Sequence, residues 1–232
     1  MKTRHLIVGV ICFCGAVHGQ MLEMPVPVVA GHPFSADEVT PRTLWSNLNN
    51  PVSETYRVYR DSAGRIRIDD LTPRKPAPAS APLVVITDPV AGIKYVLNTE
   101  TKIARRSSTQ MQALPATEDP WKVERWGFGV PGVVETSPKV EPLGILQMSA
   151  LAVEGRRITN NIPKTEHAEA QEDVNECWYS PELQMMVLRH VHHTSMGEST
   201  TRLENIDRSE PDPLMFQVPP DYTIEDGPSK TR

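Results

Sequence analysis

Cysteine is scarce in this chain of 232 residues, and that scarcity excludes a fold held together by disulfides. Two of its three cysteines, Cys12 and Cys14, lie in an N-terminal segment with the composition of a removable leader, which leaves Cys177 alone. One cysteine cannot form an internal disulfide, so the domain must be stabilised by its core. Cys177 lies in a strand-like run, and we expect a buried, unreactive thiol.

The motifs of common enzymes are also absent from the sequence. It contains no Gly-x-Ser-x-Gly, no His-Glu-x-x-His and no glycine-rich phosphate loop. Serine, histidine and aspartate are abundant, but residue types without the right spacing are no evidence for catalysis. We therefore predict a protein that is not an enzyme and needs no cofactor, with an enzyme kept only as a minor alternative.

Basic residues are in deficit, since 24 Lys and Arg face 29 Asp and Glu and the net charge is −5. Residues 1–19 contain Lys2 and Arg4 but no acid, so their removal changes the net charge to −7. Nucleic acids and anionic membrane surfaces require a basic face on their partner. Neither is expected to bind this protein.

Only one apolar run stands out, and it lies at the N-terminus. Lys2 and Arg4 precede the apolar stretch Leu6 to Val17, and small residues close the segment at Gly19. This is the pattern of a secretory signal peptide, and the stretch is shorter than the roughly 20 residues that span a bilayer. We predict a signal peptide at residues 1–19, cleaved near Gly19. The protein is then exported, periplasmic or extracellular, and is not an integral membrane protein.

Proline is frequent, with 22 residues, and it disfavours helix interiors. Two-residue alternation recurs instead: Thr55 to Arg60 and Arg65 to Asp69 alternate on either side of a turn that contains Gly64. About ten such strands follow one another in local pairs. The sequence predicts an all-β fold with little helix, a curved antiparallel sheet or incomplete β-barrel.

The domain organisation follows from the same patterns. We assign residues 20–33 to an extended leader, residues 34–222 to a single β domain and residues 223–232 to a disordered tail. Residues 107–142 interrupt the alternation with five prolines and are interpreted as an irregular excursion over the sheet. Near the end, Asp212 and Pro213 predict one helical turn.

Two groups of side chains are candidate sites. Trp121, Trp126 and Phe128 lie in the irregular excursion, where aromatic rings either contact a ligand or seal an open end of the sheet. His190 and His192 would share one face of a strand, which could begin a metal site. No third ligand is evident from the spacing, although Glu198 lies across the next turn. The alternative is a pair of solvated, pH-responsive strand residues.

Three motifs spread over residues 34–222 resemble a family of exported bacterial proteins of unknown function. They are Asp88-Pro89-Val90-Ala91-Gly92 followed by Tyr95 and Leu97, Trp178-Tyr179-Ser180-Pro181-Glu182-Leu183, and Glu210-Pro211-Asp212-Pro213 followed by Phe216, Pro219, Asp221 and Tyr222. More distantly, the pattern is similar to the periplasmic lipoprotein carriers, with their LolA-like half-barrel around an apolar cavity. The helical lid segments of those carriers are missing here.

These observations lead to two functional hypotheses. The first is a non-catalytic cell-envelope protein that binds or carries an apolar ligand, a lipid or a lipoprotein acyl chain, because a half-closed sheet encloses apolar surface. The alternative is an envelope module with a packed core that binds another protein. A metal-binding protein is a minor third hypothesis.

Overall fold

The computed structural model describes residues 29–44, 52–72, 83–109, 138–164, 169–194 and 197–227. The predicted signal peptide and its cleavage site lie outside these residues. No helix in the described part of the chain has the length and apolarity to span a bilayer.

Within these described residues, twelve strands form one open, curved sheet, which confirms the predicted all-β architecture. The strands are β1 (Phe34–Leu44), β2 (Val52–Arg60), β3 (Ile66–Asp70), β4 (Leu83–Asp88), β5 (Ile93–Asn98), β6 (Ile103–Ser108), β7 (Lys139–Met148), β8 (Leu151–Ile162), β9 (Gln171–Ser180), β10 (Met185–His193), β11 (Gly197–Asp207) and β12 (Thr223–Asp226). Their spatial order is β12-β6-β5-β4-β3-β2-β1-β11-β10-β9-β8-β7. Every neighbouring pair is antiparallel except β12 and β6, which are parallel.

The predicted hairpin between β2 and β3 is confirmed, and its turn shows why the sequence specifies it. Asp61 Oδ1 accepts a hydrogen bond of 2.8 Å from the Arg65 amide, and the Gly64 amide donates to the Asp61 carbonyl at 3.0 Å. Gly64 has a φ of 83°, a left-handed conformation that glycine adopts without strain. Asp61 and Gly64 thus hold the two alternating runs in register.

Strand β7 begins earlier than the sequence indicated. Residues 107–142 were expected to be irregular, but the strand already starts at Lys139 and includes Pro142. Proline is tolerated here because β7 is the last strand of the described sheet. The register of its pairing with β8 also shifts between Pro142 and Gly144, so the regular hydrogen bonding is interrupted at this point.

The expected disordered tail at residues 223–232 is also wrong in its first part. Thr223–Asp226 form β12, which pairs in parallel with β6. The Thr223 amide donates to the Lys102 carbonyl at 2.8 Å, and Arg106 forms an ion pair of 2.8 Å with Asp226. The sequence signal was missed because four exposed residues have no buried face to alternate against.

Two apolar clusters lie against the sheet. The larger one gathers residues from β1, β2, β8, β10, β11 and the β9–β10 turn, namely Phe34, Ala36, Val58, Leu151, Val153, Leu183, Val187 and Leu203. The smaller one, Val84, Ile86, Leu97, Ala104 and Phe216, is closed by a 3-10 turn at Pro213–Phe216. Asp212 caps this turn by accepting a hydrogen bond of 2.9 Å from the Leu214 amide, as the sequence predicted.

Arg60 joins strands that are distant in sequence at the end of the sheet where the larger cluster lies. Its side chain is 2% exposed, its Nε donates to the His32 carbonyl at 2.9 Å, and its Nη2 donates to the Leu183 carbonyl of the β9–β10 turn. The guanidinium also lies 4.8 Å from the centre of the Phe34 ring. Burial lowers the pKa of Arg60 to about 10, so the group is still charged at neutral pH.

We expect Arg60→Met to destabilise the protein by about 2–4 kcal/mol, because it leaves the His32 and Leu183 carbonyls without a charged donor. Chemical unfolding followed by circular dichroism measures the change. Arg208→Met is the matched control: Arg208 contacts the same turn through Glu182 but is half exposed, and its loss should cost less than about 1 kcal/mol. Equal losses in both variants would contradict the role of Arg60.

Candidate functional site

Strands β7 to β11 present two chemically different faces. The cross-strand register places Glu141, Arg157, Glu176 and His190 on one face, which we call the groove face. The same register places Arg189 on the opposite face, which we call the Arg189 face.

The groove face holds an open groove of about 710 Å³. Its charged side chains are four carboxylates and two cations, namely Glu141, Glu172, Glu176, Glu198, Lys139 and Arg157. Arg157 lies 2.6 Å from Glu176 and Lys139 lies 2.9 Å from Glu141, so each cation is already paired with a carboxylate of the groove. The groove is therefore polar with an excess of negative charge, and it is not an apolar cavity.

The structure places the predicted pair His190 and His192 together in this groove, as their spacing indicated. His192 Nδ1 lies 3.0 Å from Glu198 Oε1, and His190 Nδ1 lies 2.9 Å from Thr200 Oγ1. Among the described residues, no three His, Cys, Asp or Glu side chains are grouped so that they could hold a metal ion. In this structure each of the two histidines is within hydrogen-bonding distance of a side chain of β11.

The Arg189 face is partly buried in its centre, where it carries polar groups, and it becomes exposed towards β7. Thr40 and Thr201 form a hydrogen bond of 2.9 Å between their hydroxyl groups, and Arg189 lies next to Thr201 in the register. Arg189 donates from Nη2 to Asn175 Oδ1 at 3.3 Å, and burial lowers its pKa to about 10. A buried cation of this kind is costly unless it is hydrogen-bonded.

Two carboxyl groups lie on the continuation of the same face. Glu38 on β1 is diagonal to Glu54 on β2, since Thr40 pairs with Glu54 and Glu38 pairs with Tyr56. Glu54 is buried, and Glu38 keeps part of its surface exposed. Desolvation of the Glu38 carboxyl, and secondly the charge of Glu54, raise the pKa of Glu38.

Cys177 lies beside Arg189 in the register and is buried with a free thiol, as the sequence suggested. Desolvation raises the pKa of the thiol despite the nearby guanidinium, whose charge acts in the opposite direction. A neutral, buried thiol is a poor nucleophile. Cys177 therefore belongs to the packing of the Arg189 face.

The two edges of the sheet differ. Strand β7 has ten residues, of which seven are exposed, and within the described residues it pairs only with β8. Ile145 and Leu146 are consecutive, so both of its faces carry an exposed apolar side chain, 69% and 46% exposed. Strand β12, at the other edge, has only four residues, including Glu225 and Asp226. A short acidic edge is protected against further pairing, whereas the second half of β7 is not.

Sequence reasoning missed this edge because it interpreted the segment before Gly144 as irregular. The signal that could have indicated it is the apolar pair Ile145-Leu146 in a strand, which breaks the alternation of a half-buried sheet. The predicted aromatic site of Trp121, Trp126 and Phe128 lies outside the described residues and stays a prediction.

No family model matches this sequence, and no curated protein matches it. Among solved structures, the chain is similar to an uncharacterised conserved protein from Thermus thermophilus, at 8% identity and a TM-score of 0.48, over 85% of this chain and 91% of that one. It is similar to the Pseudomonas aeruginosa MucA/MucB complex structure at 10% identity and a TM-score of 0.44, over 84% of this chain and 58% of that one.

A LolA superfamily protein from Nitrosomonas europaea is similar at 9% identity and a TM-score of 0.36, over 87% of this chain and 98% of that one. The sequence resembles LolA-like proteins, and a protein of that superfamily is among the structures to which this chain is similar. At these identities the likeness concerns the fold alone.

The raised pKa of Glu38 predicts a pH dependence of stability. Folding favours the protonated form of this carboxyl, so its ionisation destabilises the folded state as the pH rises from the ordinary value of 4.5 through the raised one. Glu38→Gln should therefore be more stable than the natural protein at pH 7, and the difference should vanish at about pH 4.

Urea unfolding between about pH 4 and pH 8 measures this effect. Glu225→Gln on the exposed strand β12 is the control and should follow the natural protein at every pH. The quantity to compare is the stability of Glu38→Gln minus that of the natural protein. A value that is lower at pH 7 than at pH 4 would contradict the prediction.

Proposed function

We propose that the protein is a non-catalytic binding protein of the cell envelope, and that it binds a partner polypeptide along strand β7. The observation that carries the proposal is the second half of β7, Gly144 to Met148, a strand edge that lacks charged side chains and is exposed on both faces. An edge of this kind offers a row of main-chain donors and acceptors to an incoming strand.

The contrast with the rest of the sheet supports the proposal. Strand β8, the neighbour of β7, buries Leu151 and Val153 in the larger apolar cluster, so β7 is anchored on a rigid element. The opposite edge is short and acidic. Natural sheets protect their edges against unwanted pairing, and a long unprotected edge that faces solvent therefore favours a docking role.

The envelope location and the non-catalytic role rest on the sequence. The segment from Lys2 to Gly19 has the pattern of a signal peptide, and the chain lacks the motifs of common hydrolases. The geometry of the described residues is consistent with binding, since the groove face presents paired charges and the thiol of Cys177 is buried.

A second candidate is the binding of an apolar ligand, a lipid or a lipoprotein acyl chain. One observation favours it: Val140, Ile158 and Val191 lie in one row across the Arg189 face, with the buried Asn175 between Ile158 and Val191, and Val140 at the outer end of the row is 44% exposed. Against it, the neighbouring row contains the buried guanidinium of Arg189, and apolar chains stabilise charged groups poorly. The partner polypeptide is therefore the leading proposal.

Photo-crosslinking tests the leading proposal. A benzoylphenylalanine at position 145 should give a discrete adduct with another polypeptide in intact cells, because that side chain is 69% exposed at the docking edge. The matched control is position 224 on β12, which is 49% exposed at the opposite edge and should give at most about a tenth of the yield. Equal yields at both positions, or no adduct at position 145, would overturn the proposal.

Native mass spectrometry tests the second candidate. If an acyl ligand occupies the row that begins at Val140, protein purified from cells should carry an additional lipid mass, and Val140→Asp should remove it. Val90→Asp, on an exposed turn far from that row, is the control and should retain the lipid. A lipid-free mass for the natural protein in repeated preparations would exclude this candidate.

A further inference from the structure

The edge of β7 also specifies the chemistry of its partner, and this inference rests on the proposed function. We infer that the partner is an extended segment with an apolar half, which lies beside Gly144–Met148, and a basic half, which lies beside Glu141. A strand directs alternate side chains to opposite faces, so a partner segment meets different side chains on the two faces and along the two halves of β7.

In the second half of β7, each face carries an exposed apolar side chain. Ile145 lies on the Arg189 face opposite Glu154 of β8, and Leu146 lies on the groove face opposite Val153, a member of the larger apolar cluster. A strand added along this half would place its side chains beside Ile145 on one face and beside Leu146 on the other. Apolar side chains at these positions would cover Ile145, which is 69% exposed, and Leu146, which is 46% exposed, and would remove both from water.

In the first half of β7, Lys139 and Glu141 form an ion pair at the border of a groove that holds more carboxylates than cations. Glu141 lies on the groove face opposite Arg157, and behind it the groove continues to Glu176, Glu172 and Glu198. Lys139 and Arg157 are already engaged with Glu141 and Glu176, so the four carboxylates exceed the two cations. An incoming side chain next to Glu141 therefore meets net negative charge, which favours Lys or Arg over Asp or Glu.

The backbone agrees with this division. Pro142 lacks an amide hydrogen, and the register shifts between Pro142 and Gly144, so regular main-chain pairing with a new strand is restricted to the second half of β7. Affinity then comes from main-chain hydrogen bonds and apolar contacts beside Gly144–Met148. The basic half of the partner reaches over the groove and sets the direction in which the segment binds.

Synthetic peptides test the inference with the full-length protein. The probes are labelled peptides of about nine residues with a Val/Thr half and a Lys/Thr half. They are prepared in both orders, so that parallel and antiparallel pairing with β7 can each place the Lys half beside Glu141. The comparison peptides carry Glu in place of Lys. Fluorescence anisotropy should show that one Lys peptide binds at least about tenfold more tightly than its Glu counterpart at low salt, and that high salt reduces this difference.

Variants locate the binding on β7. Ile145→Asp should weaken binding of the Lys peptide by at least about tenfold, and Glu141→Gln by about threefold with a smaller salt dependence. Ile224→Asp at the opposite edge is the matched control and should bind as the natural protein does. A Lys peptide with N-methylated amides in its Val/Thr half should lose at least about tenfold in affinity, because it cannot complete the strand pairing.

The outcomes separate this inference from the proposed function. If Lys and Glu peptides bind equally and Ile145→Asp weakens both, the basic partner is overturned and the docking edge stands. If no peptide binds, or if Ile224→Asp weakens binding as much as Ile145→Asp, the inference is overturned, and the crosslinking yield at position 145 decides the proposed function independently.

Discussion

The structure depends on a buried cation that joins strands far apart in the sequence. Arg60, at the end of β2, donates to the carbonyls of His32 and Leu183 and packs on the ring of Phe34. A long open sheet must curve so that its apolar residues meet, and at this end the larger cluster draws from β1, β2, β8, β10 and β11. A guanidinium has enough donors to satisfy two carbonyls at once, so the turn between β9 and β10 is held against β1 and β2 without a disulfide.

This anchoring explains why one part of the sheet is packed and another is available for binding. Near Arg60, both the guanidinium and its hydrogen bond to the Leu183 carbonyl are buried. Farther along β8 and β9, the groove face carries exposed ion pairs such as Arg157 and Glu176, which contribute little to stability. Strand β7 lies beyond them, with the sheet on one side and exposed apolar side chains on both faces. Within the described residues, the same sheet thus combines a packed region with an edge strand that pairs on one side only.

Much of the fold could be predicted from local patterns, whereas the candidate site could not. The turn at Asp61 and Gly64 and the capped turn at Asp212 were predicted because short-range hydrogen bonds determine them. The placement of His190 and His192 on one face followed from the strand period. The edge at Ile145 was missed, because edge position depends on which strands pair, and β12 was missed because its partner, β6, is more than a hundred residues away.

The sequence by itself determined the all-β class and the local hairpins, since alternation and turn residues act over a few neighbouring residues. Only the tertiary structure decided that β1 pairs with β11, that Glu38 lies diagonal to Glu54, and that β7 is the last strand of the described sheet. The physical reason is that strand order and register are set by long-range hydrogen bonds and by burial. The ten residues of β7 would form a central strand in one pairing order and an edge strand in another.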